Sequence, residues 1–315
     1  MRVDGRAPTD AEVDAACATL ARLPAPTVAI AGPGARATPA LRRLVDRFDV
    51  ALESEADLAR IANAVRARPL AAAALVQLLR MGETLDVPQA LVAESFVYSA
   101  LQAGPEFAAW RAARGAPPGL GPSSTPAVRV ERFRGTLALT LDRPHKHNAF
   151  SSEMRDALAL ALRPARVDPG VQEIVVRGAG RSFCSGGDLD EFGTLPDPAT
   201  AHLIRTTRNV ARALHDLRDR VRFEVHGACI GAGCELPAFA RRVVARESAF
   251  FQLPELGIGL VPGAGGTVSL PRRIGRQRTA WLALTGRRID APTALAWGLV
   301  DEVVLEPGVE RDALA

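Results

Sequence analysis

Cysteine is scarce, with four residues in 315 (Cys17, Cys184, Cys229 and Cys234) and no C-x-x-C pair among them. That spacing argues against a disulfide framework or a thiolate zinc site and predicts free, buried thiols in a reducing compartment. The five histidines (His145, His147, His202, His215, His226) form no H-E-x-x-H or comparable cluster, so no metal is expected. Lysine is nearly absent: apart from Lys146 every basic residue is arginine, and the formal net charge is only +4. With no stripe of basic residues interleaved with aromatics, nucleic acid is not an expected partner. No run approaches the ~20 apolar residues of a membrane span. The opening M-R-V-D-G-R-A-P-T-D lacks the apolar segment of a signal peptide, so a cytoplasmic location is expected. What remains is an ordinary globular composition, 48% hydrophobic and 23% charged, long enough for one large domain or two.

Along the chain, residues 11–23 read as a helix, 26–31 as a strand, 39–48 as a helix and 49–53 as a second strand. The turn between them, Gly32-Pro33-Gly34-Ala35-Arg36-Ala37, imitates a dinucleotide fingerprint. Its proline is awkward there and no third strand follows, so a small βαβ packing element is the better account. From Ser54 onward the period becomes helical, over 55–66, 70–81, 87–101 and 105–114, with apolar stripes at Leu91, Phe96, Val97, Leu101, Phe107 and Trp110 that need a partner. A stretch dense in proline, glycine and serine marks a linker at 115–126. The chain therefore divides into an N-terminal extension, 1–114, and a second domain, 127–315. The latter opens with a hairpin around Arg134-Gly135, then a helix over 152–162 and a strand over 173–176.

Two glycine-rich stretches carry the candidate chemistry. A strand-like pattern at Val221, Phe223 and Val225 empties into Gly227, Gly231 and Gly233, and a helix is predicted to start at Cys234-Glu235-Leu236. Strand, glycine loop and helix N-terminus together present free backbone N–H groups to an anion. After a further strand-like run at Val243 and Val244, Phe250-Phe251-Gln252-Leu253 leads to Pro254-Glu255, so a second carboxylate follows Glu235 by 20 residues. Upstream, Ile174-Val175-Val176 gives way to R-G-A-G-R-S-F-C-S-G-G-D-L (177–189), with Asp188 as the expected N-cap of a following helix. One bare N–H from each loop can hold the oxygen of a thioester as it becomes an enolate. Losing one such donor typically costs about 10² to 10³ in rate.

The segments F-C-S-G-G-D-L, G-A-C-I-G-A-G-C-E-L and F-Q-L-P-E-L-G-I-G-L-V-P-G-A-G-G, in that order, resemble the signature of the enoyl-CoA hydratase/isomerase (crotonase) family. R-P-H-K-H-N-A-F (143–150) is similar to that family's first CoA-side segment, and L-T-G-R-R-I (284–289) with A-L-A-W-G-L-V-D-E-V-V (294–304) to its closing one. The likeness runs over residues 127–305. It implies an α/β fold, a spiral of stacked ββα units, here carrying an extra, mainly helical α/β domain at the N-terminus. It implies oxyanion donors at the N–H groups of Gly187 and Ala232, and catalytic carboxylates at Glu235 and Glu255. His147, Ala149, Ser185, Gly186, Asp188, Leu189, Gly231 and Pro254 are implied along the CoA and thioester path. No separate cofactor is expected, because coenzyme A is part of the acyl-CoA thioester substrate, and the family habit implies a homo-oligomer, a trimer or hexamer. Retention of both glutamates implies an enoyl-CoA hydratase, with a double-bond isomerase, a thioester hydrolase or a non-catalytic acyl-CoA-binding module as alternatives. One departure stands out: after Val304 eleven residues remain where the family continues with several C-terminal helices. The helical segment 54–114 is expected to take over part of their covering role.

Overall fold

The structure is a computed structural model that describes residues 8–32, 36, 38–115, 125–194 and 197–306. Most of the predicted linker, and the core of the Gly32-Pro33-Gly34 turn, lie outside the described residues. The chain runs α1 (Asp10–Arg22), β1 (Val28–Ile30), α2 (Pro39–Arg47), β2 (Val50–Leu52), α3 (Leu58–Ala67), α4 (Pro69–Met81), α5 (Val87–Gln102) and α6 (Pro105–Arg114). It continues with β3 (Val128–Phe133), β4 (Thr136–Leu141), α7 (Ser152–Ala165), β5 (Glu173–Gly178), α8 (Pro198–Thr207), α9 (Val210–Leu217), β6 (Val221–Val225), β7 (Ala228–Ile230) and α10 (Ala232–Glu235). The last elements are β8 (Arg242–Arg246), β9 (Phe250–Gln252), α11 (Gly266–Ile274), α12 (Arg276–Thr285), β10 (Ile289–Asp290), α13 (Ala291–Trp297) and β11 (Glu302–Val304).

Local chemistry sets many of the helix starts. Thr9 accepts from the Glu12 N–H while the Glu12 side chain reaches back, a capping box that opens α1. Asp86 accepts from the Gln89 N–H and Pro88 sits in the first turn, which together begin α5. Ser151 caps α7 in the same way through the Met154 N–H.

Six strands form the main sheet in the order β11-β8-β6-β5-β4-β3. All neighbours are parallel except the predicted hairpin, in which β3 pairs antiparallel with β4 through Arg134-Gly135. The central strand β5 buries Ile174, Val175 and Val176 on both faces, as a covered parallel strand requires. A smaller sheet runs β10-β9-β7, with β7 and β9 parallel.

At the other end of the sequence, β1 and β2 form a parallel pair, and α1 with α2 closes a small cluster of Val13, Ala29, Leu44 and Phe48. Helices α3–α6 enclose no core of their own. Ile61, Leu75, Leu79, Leu91 and Phe107 belong to the same buried cluster as Leu139, Phe223 and Leu282 of the following region. A buried ion network fixes this union: Asp49 lies within 2.5 Å of Arg80 on α4 and 2.9 Å of Arg276 on α12, and Arg276 also meets Glu83. Of the predicted apolar stripe, Leu91, Leu101 and Phe107 are buried, but Phe96 is 58% exposed and stacks on His202 with ring centroids 4.0 Å apart.

Candidate active site

The small sheet explains why two distant glutamates share a site. Because β7 and β9 are parallel neighbours with Ile230 opposite Gln252, both chains leave the sheet at the same end. Glu235 lies one short helix, α10, beyond the first strand, and Glu255 lies just past the second. The upstream loop joins the same array through a parallel bridge between Cys184 and Cys229. Gly187 and Ala232 each stand three residues past that bridge, so their N–H groups come to one level. Neither N–H donates to a backbone or side-chain acceptor among the described residues. Gly231 has φ +50, which favours glycine, and a Cβ there would stand 2.5 Å from Glu255 Oε1 and so would displace that carboxyl.

All four groups open on one cavity of about 540 Å³. Glu235 is 2% exposed, and its Oε2 accepts from the Ala264 and Gly266 N–H groups at 2.7 and 2.8 Å. Burial, helped by the charges of Glu255 and Glu94, pushes its carboxyl well above the usual range, against the pull of those two amides. Glu255 is pushed up to about 8, chiefly by burial, and its Oε2 is buried with no hydrogen-bond partner. An unpartnered buried carboxyl oxygen calls for a ligand or water to complete it. The thiols are not poised as nucleophiles: burial pushes Cys184 up to about 12, and raises Cys229 and Cys234 as well.

Among the expected substrate-side residues, Asp188 lines the cavity, together with Gly187 and Ala232. Its predicted capping role is corrected by the structure. Residues 188–194 form turns, and the next helix, α8, starts only at Pro198 with Asp197 as its cap. Asp188 is unavailable for capping because its carboxylate is engaged by Arg143 at 2.9 Å and Lys146 at 3.5 Å, and turns back to the Asp190 N–H. This ion pair locks the 143–150 segment to the 184–190 loop, where Phe150 bridges Gly187. The other expected residues frame these loops without lining the cavity. His147 is exposed, with left-handed backbone (φ 50) and its Nδ1 3.1 Å from Ser182 Oγ. The Ser185 N–H donates to the His147 carbonyl, Gly186 approaches Ile230, Ala149 accepts from Arg143, and Leu189 and Pro254 are exposed.

The opposite wall comes from a region that the motifs did not mark. Leu91, Glu94, Tyr98 and Phe107 of α5 and α6 line the cavity, and Arg205 of α8 joins them. Tyr98, the only tyrosine in the chain, packs its ring so closely on Gly263 that a Cβ there would stand 2.3 Å away. The Arg205 guanidinium lies 4.8 Å from the same ring centroid. Helix α6 is strapped to the turns that follow Gly187 by Arg114 on Asp190 at 2.8 Å and by Trp110 edge-on to Phe192. A signal for Glu94 was present in the sequence: it stands between Leu91 and Tyr98 at helical spacing, a carboxylate inside an apolar stripe.

Comparison with known proteins is consistent with this geometry. Residues 131–315 match the family model described as enoyl-CoA hydratase/isomerase. The chain is 37% identical over 176 residues to 1,2-epoxyphenylacetyl-CoA isomerase of Escherichia coli, covering 54% of this chain and 67% of that protein. It is 36% identical to 2,3-dehydroadipyl-CoA hydratase of the same organism, covering 55% of this chain and 68% of that one. Among solved structures, the enoyl-CoA hydratase of Mycobacterium smegmatis superposes with a TM-score of 0.54 at 33% identity, over 57% of this chain and 71% of that one.

Proposed function

Because the chain belongs to the enoyl-CoA hydratase/isomerase family, we propose that it is an enoyl-CoA hydratase. The observation that carries this reading is the pairing, on one cavity, of the buried Glu235 and the half-buried Glu255, whose Oε2 is covered, with two unengaged backbone N–H groups. In the proposed reaction the thioester oxygen accepts from the Gly187 and Ala232 N–H groups, which stabilise the enolate as it forms. Glu235 takes a proton from the water whose oxygen bonds to C3, and Glu255 gives its proton to C2. One water is thereby added across the double bond, and solvent returns the two glutamates to their starting protonation.

Burial raises both carboxyls, so the reverse division of labour is the second reading; the hydrogen bonds favour the one given. Two amides favour the carboxylate form of Glu235, whereas the orphaned Oε2 of Glu255 has none and its pKa of about 8 keeps it protonated near neutrality. With Glu255 neutral, one of the upward pushes on Glu235 is gone, while burial and Glu94 still oppose its charge. A double-bond isomerase needs only one carboxyl group to move a proton between C2 and C4, so a second acid on the same cavity favours hydration.

The test is hydration of crotonyl-CoA, followed as loss of the conjugated thioester absorbance, by the parent, Glu235→Ala and Glu255→Ala. Loss by orders of magnitude in both variants is expected. Absence of hydration in the parent, with 3-enoyl-CoA converted to its conjugated isomer, would replace the reading by an isomerase. Thioester binding without either reaction would make the chain an acyl-CoA-binding module.

A further inference from the structure

The turn that leads into α11 serves two carboxylates at once. Ala264 and Gly266 donate to Glu235 Oε2 at 2.7 and 2.8 Å. The alternate amides, Gly265 and Thr267, donate to Glu94 Oε1 and Oε2 at 2.7 and 3.0 Å, and the Thr267 hydroxyl adds a third bond to Glu94 Oε2 at 2.6 Å. Successive amides thus point to opposite sides, one pair to the proposed base and the other to a helix some 170 residues earlier in the chain.

The turn has little stiffness of its own. Residues 263–266 read Gly-Ala-Gly-Gly, and Gly265 sits at φ +100, where an L side chain is strained. Groups outside the turn hold its peptide planes, Glu235 from one side and Glu94 from the other. It is 3% exposed, and the bonds to the turn account for both of its carboxylate oxygens. The other ionisable groups around this arrangement are Glu255, Tyr98 and Arg205, with Cys184 and Cys234 behind Glu235.

We propose that Glu94 is a positioning residue: by fixing the alternate amides of the 264–267 turn, it keeps the Ala264 and Gly266 N–H groups on Glu235. The role attributed to Glu235 rests on the hydratase reading, but the coupling between the two sets of amides does not. A glutamine at 94 has the same shape, yet its amide nitrogen would face the N–H of Gly265 or Thr267, donor against donor, and the turn would open.

The test uses the full chain with Glu94→Gln and, as a milder change, Thr267→Val, which removes one donor to Glu94 and touches nothing on Glu235. Amide hydrogen exchange is read by NMR at each of the four amides, alongside crotonyl-CoA turnover and the affinity for acetyl-CoA as a non-reacting probe. In Glu94→Gln, exchange at Ala264 and Gly266 should speed up roughly tenfold or more, although neither touches Glu94. Turnover should fall about tenfold to a hundredfold, as for a displaced catalytic group, and by more than the affinity for acetyl-CoA. Thr267→Val should move both readouts in the same direction by less, and it carries the test alone if Glu94→Gln does not fold. Acceleration confined to Gly265 and Thr267 would overturn the proposal and leave Glu94 a helix cap, as would unchanged turnover in an active parent. If the parent itself hydrates nothing, the hydratase reading falls, while the exchange pattern still decides for or against Glu94.

Discussion

Replacing Glu255 by glutamine keeps the shape of the side chain and removes an acid, and the structure assigns this change two opposite consequences. In the folded chain the carboxyl titrates at about 8, against an ordinary value of 4.5, because burial penalises its charge. Its favourable contribution to stability is therefore complete below the unfolded value and is lost as pH rises through the folded one. The gap corresponds to about 5 kcal/mol at alkaline pH if nothing screens it. Water in the open cavity screens part of this, leaving about 2 kcal/mol. A melting entropy of ~2.1 cal/mol/K per residue gives about 0.7 kcal/mol/K over the chain, so the variant should melt about 3 °C above the parent at pH 9 and level with it at pH 4.5. Hydration of crotonyl-CoA should meanwhile fall by about 10² to 10⁴. Scanning calorimetry at the two pH values, beside the absorbance assay, reads both. A variant no more stable than the parent at pH 9, or one that still turns over within threefold of it, would refute the assignment of a protonated acid whose charge burial penalises.

Three further outcomes are expected. The pH profile of kcat/KM in the parent should fall as pH rises through about 8, where Glu255 loses its proton; a profile still climbing there would assign the acid elsewhere. Gly231→Ala, which forces a Cβ to within 2.5 Å of Glu255 Oε1 at φ +50, should cost about 1 to 3 kcal/mol and most of the activity. Normal turnover by this variant would show that the loop has room to spare. Asp49→Ala leaves Arg80 and Arg276 without their buried partner and should cost about 3 to 5 kcal/mol in denaturant unfolding, with kcat of the folded fraction unchanged. A loss below 1 kcal/mol would mean that this network does not bind the N-terminal elements to the rest.

Much of the site was legible because its parts are backbone devices written in local sequence. Glycines at 186 and 231 announce turns that only glycine makes, and a carboxylate directly after each strand and turn announces a polar group at a strand end. The hairpin at Arg134-Gly135 is likewise local, and the structure keeps it. Asp188 was misread for a physical reason: a lone aspartate before a polar stretch looks like a cap, and its ion pair with Arg143, 45 residues earlier, has no local trace.

The sequence by itself determined the elements, the glycine turns and the chemical identity of the two carboxylates, since these depend on residues within a few positions of one another. Only the tertiary structure decided that β7 and β9 run side by side, which brings Glu235 and Glu255 to one cavity. That residues 54–114 help to cover the site was expected, but only the tertiary structure decided that α5 and α6 do so and that Glu94 shares a turn with Glu235, because contacts across more than 100 residues arise from packing in a common core and leave no spacing to read.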